Sequence, residues 1–206
     1  MSPYAVTDYA DLVRRLVVAY KDQSRAELVQ PLGRLLAVGV EHVLRAEQVP
    51  AGAGVQLVPV PSSPTSVRRR GRDPVRDLAC SAARLLRRRG RSVRVERLVS
   101  QRRLVRDQAG LSAAERATNV HGALRARPAP AAGPAMDPAS APVVRLVVDD
   151  VLTTGATVDE AVRVLLAAGW PVLAVATVAA TRRHHQAPPS PPSSRGRPLS
   201  RIDAGG

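Results

Sequence analysis

Residues 146–157 read LVVDDVLTTGAT, and this stretch decides the fold. It is entered through a short apolar run, residues 143–148, interrupted only by Arg145. Two adjacent carboxylates follow, Asp149 and Asp150, then Val151 and Leu152. Next come Thr153, Thr154, Gly155, Ala156 and Thr157, hydroxyls grouped around one glycine. Beyond them Val158, Ala161, Val162, Leu165 and Leu166 recur at helical spacing, and Gly169 stands where a helix C-cap belongs. The pattern predicts strand, loop and helix. Such a loop aims backbone N–H groups and hydroxyls at a site on the positive end of a helix, which suits a phosphate monoester. Carboxylates at a strand end suit vicinal hydroxyls such as those of a ribose, because each ionised oxygen is a strong acceptor. The plain alternative is an ordinary βα turn with polar filler, the two Asp acting as a capping cluster. Two other phosphate motifs are missing from the sequence: no GxxxxGK(S/T) occurs, and no GxGxxG follows a strand.

Outward from this stretch, helices and strands alternate. Residues 8–20 carry Leu12, Val13, Leu16 and Val17 at helical spacing, with Arg14 and Arg15 on the other face. Ser24 and Glu27 form a capping box that opens a helix through about Leu44, whose apolar positions include Leu28, Leu32, Leu36, Val40 and Val43. Gly52 and Gly54 mark a turn before a strand over 55–60. Asp73 and Pro74 read as an N-cap with proline at the first helical position, and that helix ends at Gly90. Residues 93–99 read as a second strand and 100–110 as a polar loop. Ser112 and Glu115 form a second capping box, opening a short helix, and 121–127 reads as a further strand. Residues 172–178 make a continuous apolar strand of the buried, parallel type.

This alternation predicts an α/β fold, a parallel twisted sheet flanked by helices. A small helical N-terminal cover is expected over 1–50 and the core over 51–181. The Ala/Pro-rich stretch 127–142 is expected to be a surface insertion, and the Pro/Ser/Arg/Gly-rich 182–206 a disordered tail. His184 and His185 lie in that tail with no further ligands nearby, so a solvated reading is preferred to a metal site. Ligands of parallel sheets bind beyond the carboxyl ends of the strands. The loops after Val60, Val99 and Val148 are therefore expected to converge.

Composition narrows the class further. A chain of 206 residues can build one α/β domain with a real core. No run of about eighteen apolar residues occurs, so no membrane span is expected. The start of the chain lacks a basic segment followed by an apolar one, so no signal peptide is expected and the cytoplasm is the expected location. Cys80 is the only cysteine and falls on a predicted helix, where a small buried residue is the expectation. Net charge is +14, and Lys21 is the only lysine among 31 basic residues. Richness in Arg, Ala, Val and Pro with no Phe suggests a GC-rich genome, which raises Arg use without any partner selecting it. A basic surface also suits polyanions. With three Tyr and one Trp the chain offers few bases-stacking aromatics, which counts against direct single-strand binding.

Residues 146–157 resemble the 5-phosphoribosyl-1-pyrophosphate (PRPP) motif of type I phosphoribosyltransferases. Four further pieces narrow the resemblance to the ComF-like (competence protein F) branch. They are Val58-Pro59-Val60-Pro61, Arg68 to Gly71, the spaced block Arg103, Gln108, Leu111-Ser112, Glu115-Arg116 and Asn119-Val120, and the helix that ends in Tyr20-Lys21. The resemblance spans roughly residues 9–181, about one domain by length. Many members begin with a cysteine-rich zinc segment that this sequence lacks, so zinc is not expected. Many also continue Arg-Gly with Phe-Asn-Gln, where this chain has Arg72-Asp73-Pro74.

The resemblance implies PRPP as substrate with Mg²⁺ as cofactor, held indirectly at Asp149 and Asp150 through substrate and water. The whole stretch Asp149, Asp150, Val151, Leu152, Thr153, Thr154, Gly155, Ala156 and Thr157 would bind PRPP: Asp149 and Asp150 would meet the ribose hydroxyls, with Asp150 as candidate general base, and Thr153 to Thr157 would carry the 5-phosphate. Pro59, Val60, Pro61, Ser62 and Arg70 would face pyrophosphate. The polar loop with Arg102, Arg103, Gln108, Arg116 and Asn119 would close over the site, Arg103 serving in catalysis. A nitrogenous base is the implied acceptor, its identity unreadable. Weak nucleic-acid association through the basic surface and a homodimer are compatible with the same reading. The alternative is a non-catalytic PRPP- or nucleotide-binding protein acting in DNA uptake or regulation. An unrelated phosphatase lacks a visible activated nucleophile.

Overall fold

Strands as apolar as those around residues 146 and 175 need cover on both faces, and the chain supplies it. The structure is a computed structural model that describes residues 3–8, 11–23, 25–102, 122–130 and 142–181. In chain order the elements are β1 (Pro3–Asp8), α1 (Asp11–Asp22), a 3₁₀ turn (Ala26–Leu28), α2 (Val29–Ala46), β2 (Gly54–Pro59), α3 (Pro64–Arg70), α4 (Pro74–Arg88), β3 (Ser92–Val95), β4 (Val99–Gln101), β5 (Leu124–Ala126), β6 (Val143–Leu152), α5 (Ala156–Ala167) and β7 (Ala174–Ala180). Five strands form one parallel sheet in the order β1-β7-β6-β2-β3, and β4 and β5 pair as a separate antiparallel ribbon. The fold is α/β, as the alternation predicts.

Two cores result. On one face Val17 and Tyr20 of α1, Leu32 and Leu36 of α2 and Leu78 and Leu86 of α4 pack on Leu57, Leu146 and Val148. On the other, Val158, Ala161 and Leu165 of α5, with Leu98, Val99 and Leu124, pack on Val58, Val147 and Val175. Period-2 alternation along β6 thus sends Leu146 and Val148 to one face and Val147 to the other. Arg145, the one charge in the apolar run, stacks its guanidinium 4.5 Å from the Trp170 ring, which accounts for its place in a central strand.

Helix ends follow the sequence closely. Asp73 caps α4 by accepting from the Arg76 N–H, with Pro74 at the first position. Gly90 and Gly169 take left-handed φ values of 86° and 83° just beyond α4 and α5.

Other expectations are corrected. The strand expected over 93–99 is two strands: after β3 the chain leaves the sheet and re-forms as β4 in the ribbon. The loop expected after Val60 is short: from Pro64 to Arg70 the chain forms the helix α3, capped by Ser63, whose hydroxyl accepts from the Ser66 N–H. The capping-box helix starts later than expected, at the 3₁₀ turn, whose N-cap is Arg25 without a side-chain bond; Ser24 lies outside the described residues, and Glu27 pairs with Arg25 instead. The first fifty residues are more than a helical cover. β1 is an edge strand of the main sheet, and α2 packs on both α4 and β7. Cys80 is partly exposed rather than buried. The short helix expected after Ser112, most of the Ala/Pro-rich stretch, and the tail with His184 and His185 lie outside the described residues. No described helix is long and apolar enough to cross a membrane.

Close approach of α2 and α4 depends on Gly33. A Cβ there would lie 2.5 Å from Ser81 Cβ, a distance real atoms do not keep. Gly33→Ala is expected to lower stability by about 1–3 kcal/mol through overpacking. Adding Ser81→Gly should recover most of the loss, as urea unfolding of both variants would measure; equal stability of wild type and Gly33→Ala would contradict the packing.

Candidate functional site

The strand order places the site. From β2 the chain moves outward to β3, and from β6 it moves the other way to β7, so successive connections diverge between β2 and β6. That divergence opens a crevice at the carboxyl ends of these two strands, where parallel sheets bind ligands. The turn after β2 lies beside the carboxyl-terminal half of β6, joined to it by the Val60 N–H donating to the Val148 carbonyl at 2.9 Å. The third segment arrives as well: Gln101, at the end of β4, donates from Nε2 to the Pro61 carbonyl at 3.2 Å. The turn after β2 thus meets β6 and the end of β4, while most of the loop expected after Val99 lies outside the described residues.

β6 runs further than the sequence suggests. It extends through both acids to Leu152, with Asp149 opposite Thr177 and Leu152 opposite Ala180 in the ladder with β7. The carboxylates are thus strand residues rather than loop residues. Asp150 is 1% exposed, while Asp149 is partly exposed. Each accepts a local backbone N–H, Asp149 Oδ1 from Asp150 at 2.8 Å and Asp150 Oδ1 from Val151 at 2.7 Å.

The partner of Asp150 comes from the far end of the sequence. Lys21, in the last turn of α1, forms an ion pair with Asp150 Oδ2. The negative end of α1 favours a cation at that position. Neighbours on either side fix the helix end. The Tyr20 hydroxyl donates to the Pro74 carbonyl at 2.9 Å, and the Arg72 guanidinium lies 4.4 Å from the Tyr20 ring and donates to the Tyr20 carbonyl. Arg70 pairs with Asp22 at 3.0 Å. Burial holds the Tyr20 hydroxyl well above its ordinary pKa, so it stays a donor.

Titration follows from this crowding. Burial raises the Asp149 pKa well above its ordinary value, the Asp150 charge raises it further, and Lys21 pulls it back only in part. For Lys21, burial works to lower the pKa, but the charges of Asp150 and Asp149 outweigh it and the net direction is up.

The hydroxyl loop follows. Thr153 and Thr154 are exposed, Gly155 is the N-cap of α5 at φ 80°, and the Ala156 N–H points to Thr154 Oγ1 at 3.4 Å. Ala156 and Thr157 begin α5. The Thr181 hydroxyl donates to the Thr153 carbonyl at 3.0 Å, tying the loop to the end of β7. This is a helix N-terminus opening into the crevice, with its glycine where only a glycine sits without strain.

The turn after β2 offers less than the sequence suggests. Pro59 and Pro61 have no N–H, and that of Val60 is spent on Val148, so the donors of this turn begin at Ser62. The Ser62 hydroxyl donates to Asp73 Oδ1 at 3.0 Å. Arg70 is turned toward Asp22 and near enough to Lys21 to oppose its charge. Arg102 donates its N–H to the Ala123 carbonyl at the base of the ribbon, while Arg103, Gln108, Arg116 and Asn119 lie outside the described residues.

Two residues of the site were not picked out as site residues in the sequence. One is Lys21, whose signal is its being the only lysine. The other is Glu160, 4% exposed, which accepts the Gly122 N–H at 2.8 Å and a two-pronged contact from Arg163. It thereby anchors the chain where it re-enters the ribbon, and nothing local in the sequence marks it. Searches of the sequence against protein-family models and against curated proteins give no match.

The raised pKa of Asp149 sets a pH dependence. The folded chain holds that proton more tightly than the unfolded one, so the stabilising contribution is complete below the ordinary value of 3.8 and is lost as pH rises through the folded value. Asp149→Asn removes the effect while keeping the acceptor for the Asp150 N–H. Urea midpoints of wild type are expected to fall relative to the variant as pH rises from 3.8 toward neutrality; parallel pH profiles would contradict it.

Proposed function

We propose that this protein is a phosphoribosyltransferase of the ComF-like kind, binding PRPP with Mg²⁺ and transferring the phosphoribosyl group to a nitrogenous acceptor with release of pyrophosphate. One observation carries the reading: the acidic pair and the Thr/Gly loop stand on one strand–helix unit at the crevice between β2 and β6, beside the proline-bounded turn. In this reading the stretch from Thr153 to Thr157 takes the 5-phosphate on the N–H groups that open α5, and the acids meet the ribose hydroxyls. Pyrophosphate faces Ser62 and the cationic cluster of Arg70 and Lys21. Mg²⁺ supplies charge neutralisation at the pyrophosphate when bound. Mg²⁺ would be held at the acidic pair through substrate and water, because Asp150 already has Lys21 as its partner.

The chain's part in the chemistry is positioning and charge stabilisation. As the bond from C1 to the pyrophosphate oxygen breaks, pyrophosphate leaves with the electron pair and the acceptor nitrogen adds to C1. The acceptor's proton goes to a carboxylate. Asp149 suits this better than Asp150, being partly exposed and free of Lys21 at its carboxyl oxygens, whereas Asp150 is enclosed by its ion pair. Cytoplasmic action belongs to the same proposal.

Titration calorimetry with PRPP in the presence and absence of Mg²⁺ tests the reading. Binding should require Mg²⁺ and weaken at least about a hundredfold in the Asp149→Asn, Asp150→Asn double variant, the loss of two charge-assisted contacts. Circular dichroism of the double variant checks the fold, and undiminished PRPP affinity in a folded double variant would sink the assignment. A screen of bases for pyrophosphate release then separates transfer from binding alone, the behaviour expected of a PRPP-binding regulator.

A further inference from the structure

Of 31 basic residues, Lys21 is the only lysine, and it is the one whose charge lies against the buried carboxylate of the site. Everywhere else the chain meets its need for positive charge with Arg. The two differ in shape. Arg presents a flat fork that grips a carboxylate at two points, while Lys presents a compact charge with three donors on a flexible stem. A lysine is thus the cation that can leave Asp150 by rotating its stem.

The contacts show what it covers. Asp150 Oδ1 is engaged by the Val151 N–H, Asp149 Oδ1 is engaged by the Asp150 N–H, and Lys21 occupies Asp150 Oδ2. The Asp150 side chain is 2% exposed and that of Lys21 32%, so a partly exposed cation lies against a carboxylate that is closed to solvent. Two adjacent carboxylates without that ammonium would present uncompensated negative charge to any divalent ion in solution.

We propose that Lys21 is a built-in counter-cation, a positioning residue that keeps free divalent metal off the Asp149–Asp150 pair and yields Asp150 only when a ligand bearing a diphosphate offers the ammonium other anionic oxygens. Exclusion of free metal stands on the ion pair alone; the identity of the ligand that displaces Lys21 rests on the PRPP reading. The order of binding follows: metal enters with the diphosphate and does not precede it. Arg70 sits close enough to oppose the Lys21 charge, which favours the ammonium's moving once a polyanion arrives.

The test is a titration of the full chain with Mn²⁺ alone, free ion being counted by its paramagnetic resonance signal. Wild type should leave Mn²⁺ free. Lys21→Gln keeps an amide donor for Asp150 but removes the charge, and should bind Mn²⁺ at least about tenfold more tightly than wild type. Lys21→Arg restores the charge and should exclude Mn²⁺ again, while Asp150→Asn added to Lys21→Gln should abolish the gain. Thermal melts establish that each variant is folded. If Lys21→Gln binds Mn²⁺ no better than wild type, or if wild type itself binds Mn²⁺ as tightly as that variant, the proposal is overturned. The wild-type reading needs no variant and stands even if a substitution prevents folding. A gain in Lys21→Gln alongside a wild type that ignores PRPP would retain the counter-cation and dismiss the PRPP reading. PRPP binding without that gain would do the reverse.

Discussion

Two carboxylates side by side on a central strand are the constraint around which this molecule is arranged. An unpaired charge as buried as Asp150 would cost several kcal/mol, more than most single contacts return. Lys21 is the partner, and it can reach Asp150 only if the last turn of α1 points at the end of β6. That requirement explains the cluster of contacts at the helix end, where Tyr20, Lys21 and Asp22 are each held by a different group: the Pro74 carbonyl, Asp150 and Arg70. The N-terminal segment is therefore part of the site's electrostatics and not a detachable lid over it.

What the sequence makes legible is what depends on local chemistry. The strand–loop–helix unit, the Asp73-Pro74 cap, the glycines beyond α4 and α5 and the α/β class all follow from spacing and from residues whose preferences are strong. What it hides depends on distant partners. The last residues of β6 look like a loop because they are acidic and followed by threonines; pairing with β7 overrides that preference. β1 is a six-residue segment beginning at a proline, too short to show a period, and its strand character comes from lying along β7. α3 has no buried side chain, so no apolar stripe announces it. The ion pair of Lys21 and Asp150 has no local signal, and only the rarity of lysine in an arginine-rich chain points to it.

The crevice between β2 and β6 shows how backbone chemistry limits a site before any side chain is considered. Two prolines bracket Val60, and the sheet takes the one N–H between them. The turn is thereby stiff and poor in donors on this side. The N-terminus of α5, with its glycine and threonines, is rich in them. The two lips of the crevice thus differ: one offers backbone donors, the other rigidity and the arginines of the helix that follows.

The place of β1 has a consequence for how the molecule comes into being. This strand is made before β7, yet among the described residues β7, the last described strand, is its neighbour in the sheet. At ribosomal speeds the interval between Asp8 and Ala174 is on the order of ten seconds. For that time the nascent chain carries a strand edge with nothing to pair with, and α1 waits for the acidic strand its lysine will meet. β1 is made well before the strand that pairs with it, so newly made chains pass through a period in which that strand has no ladder to join.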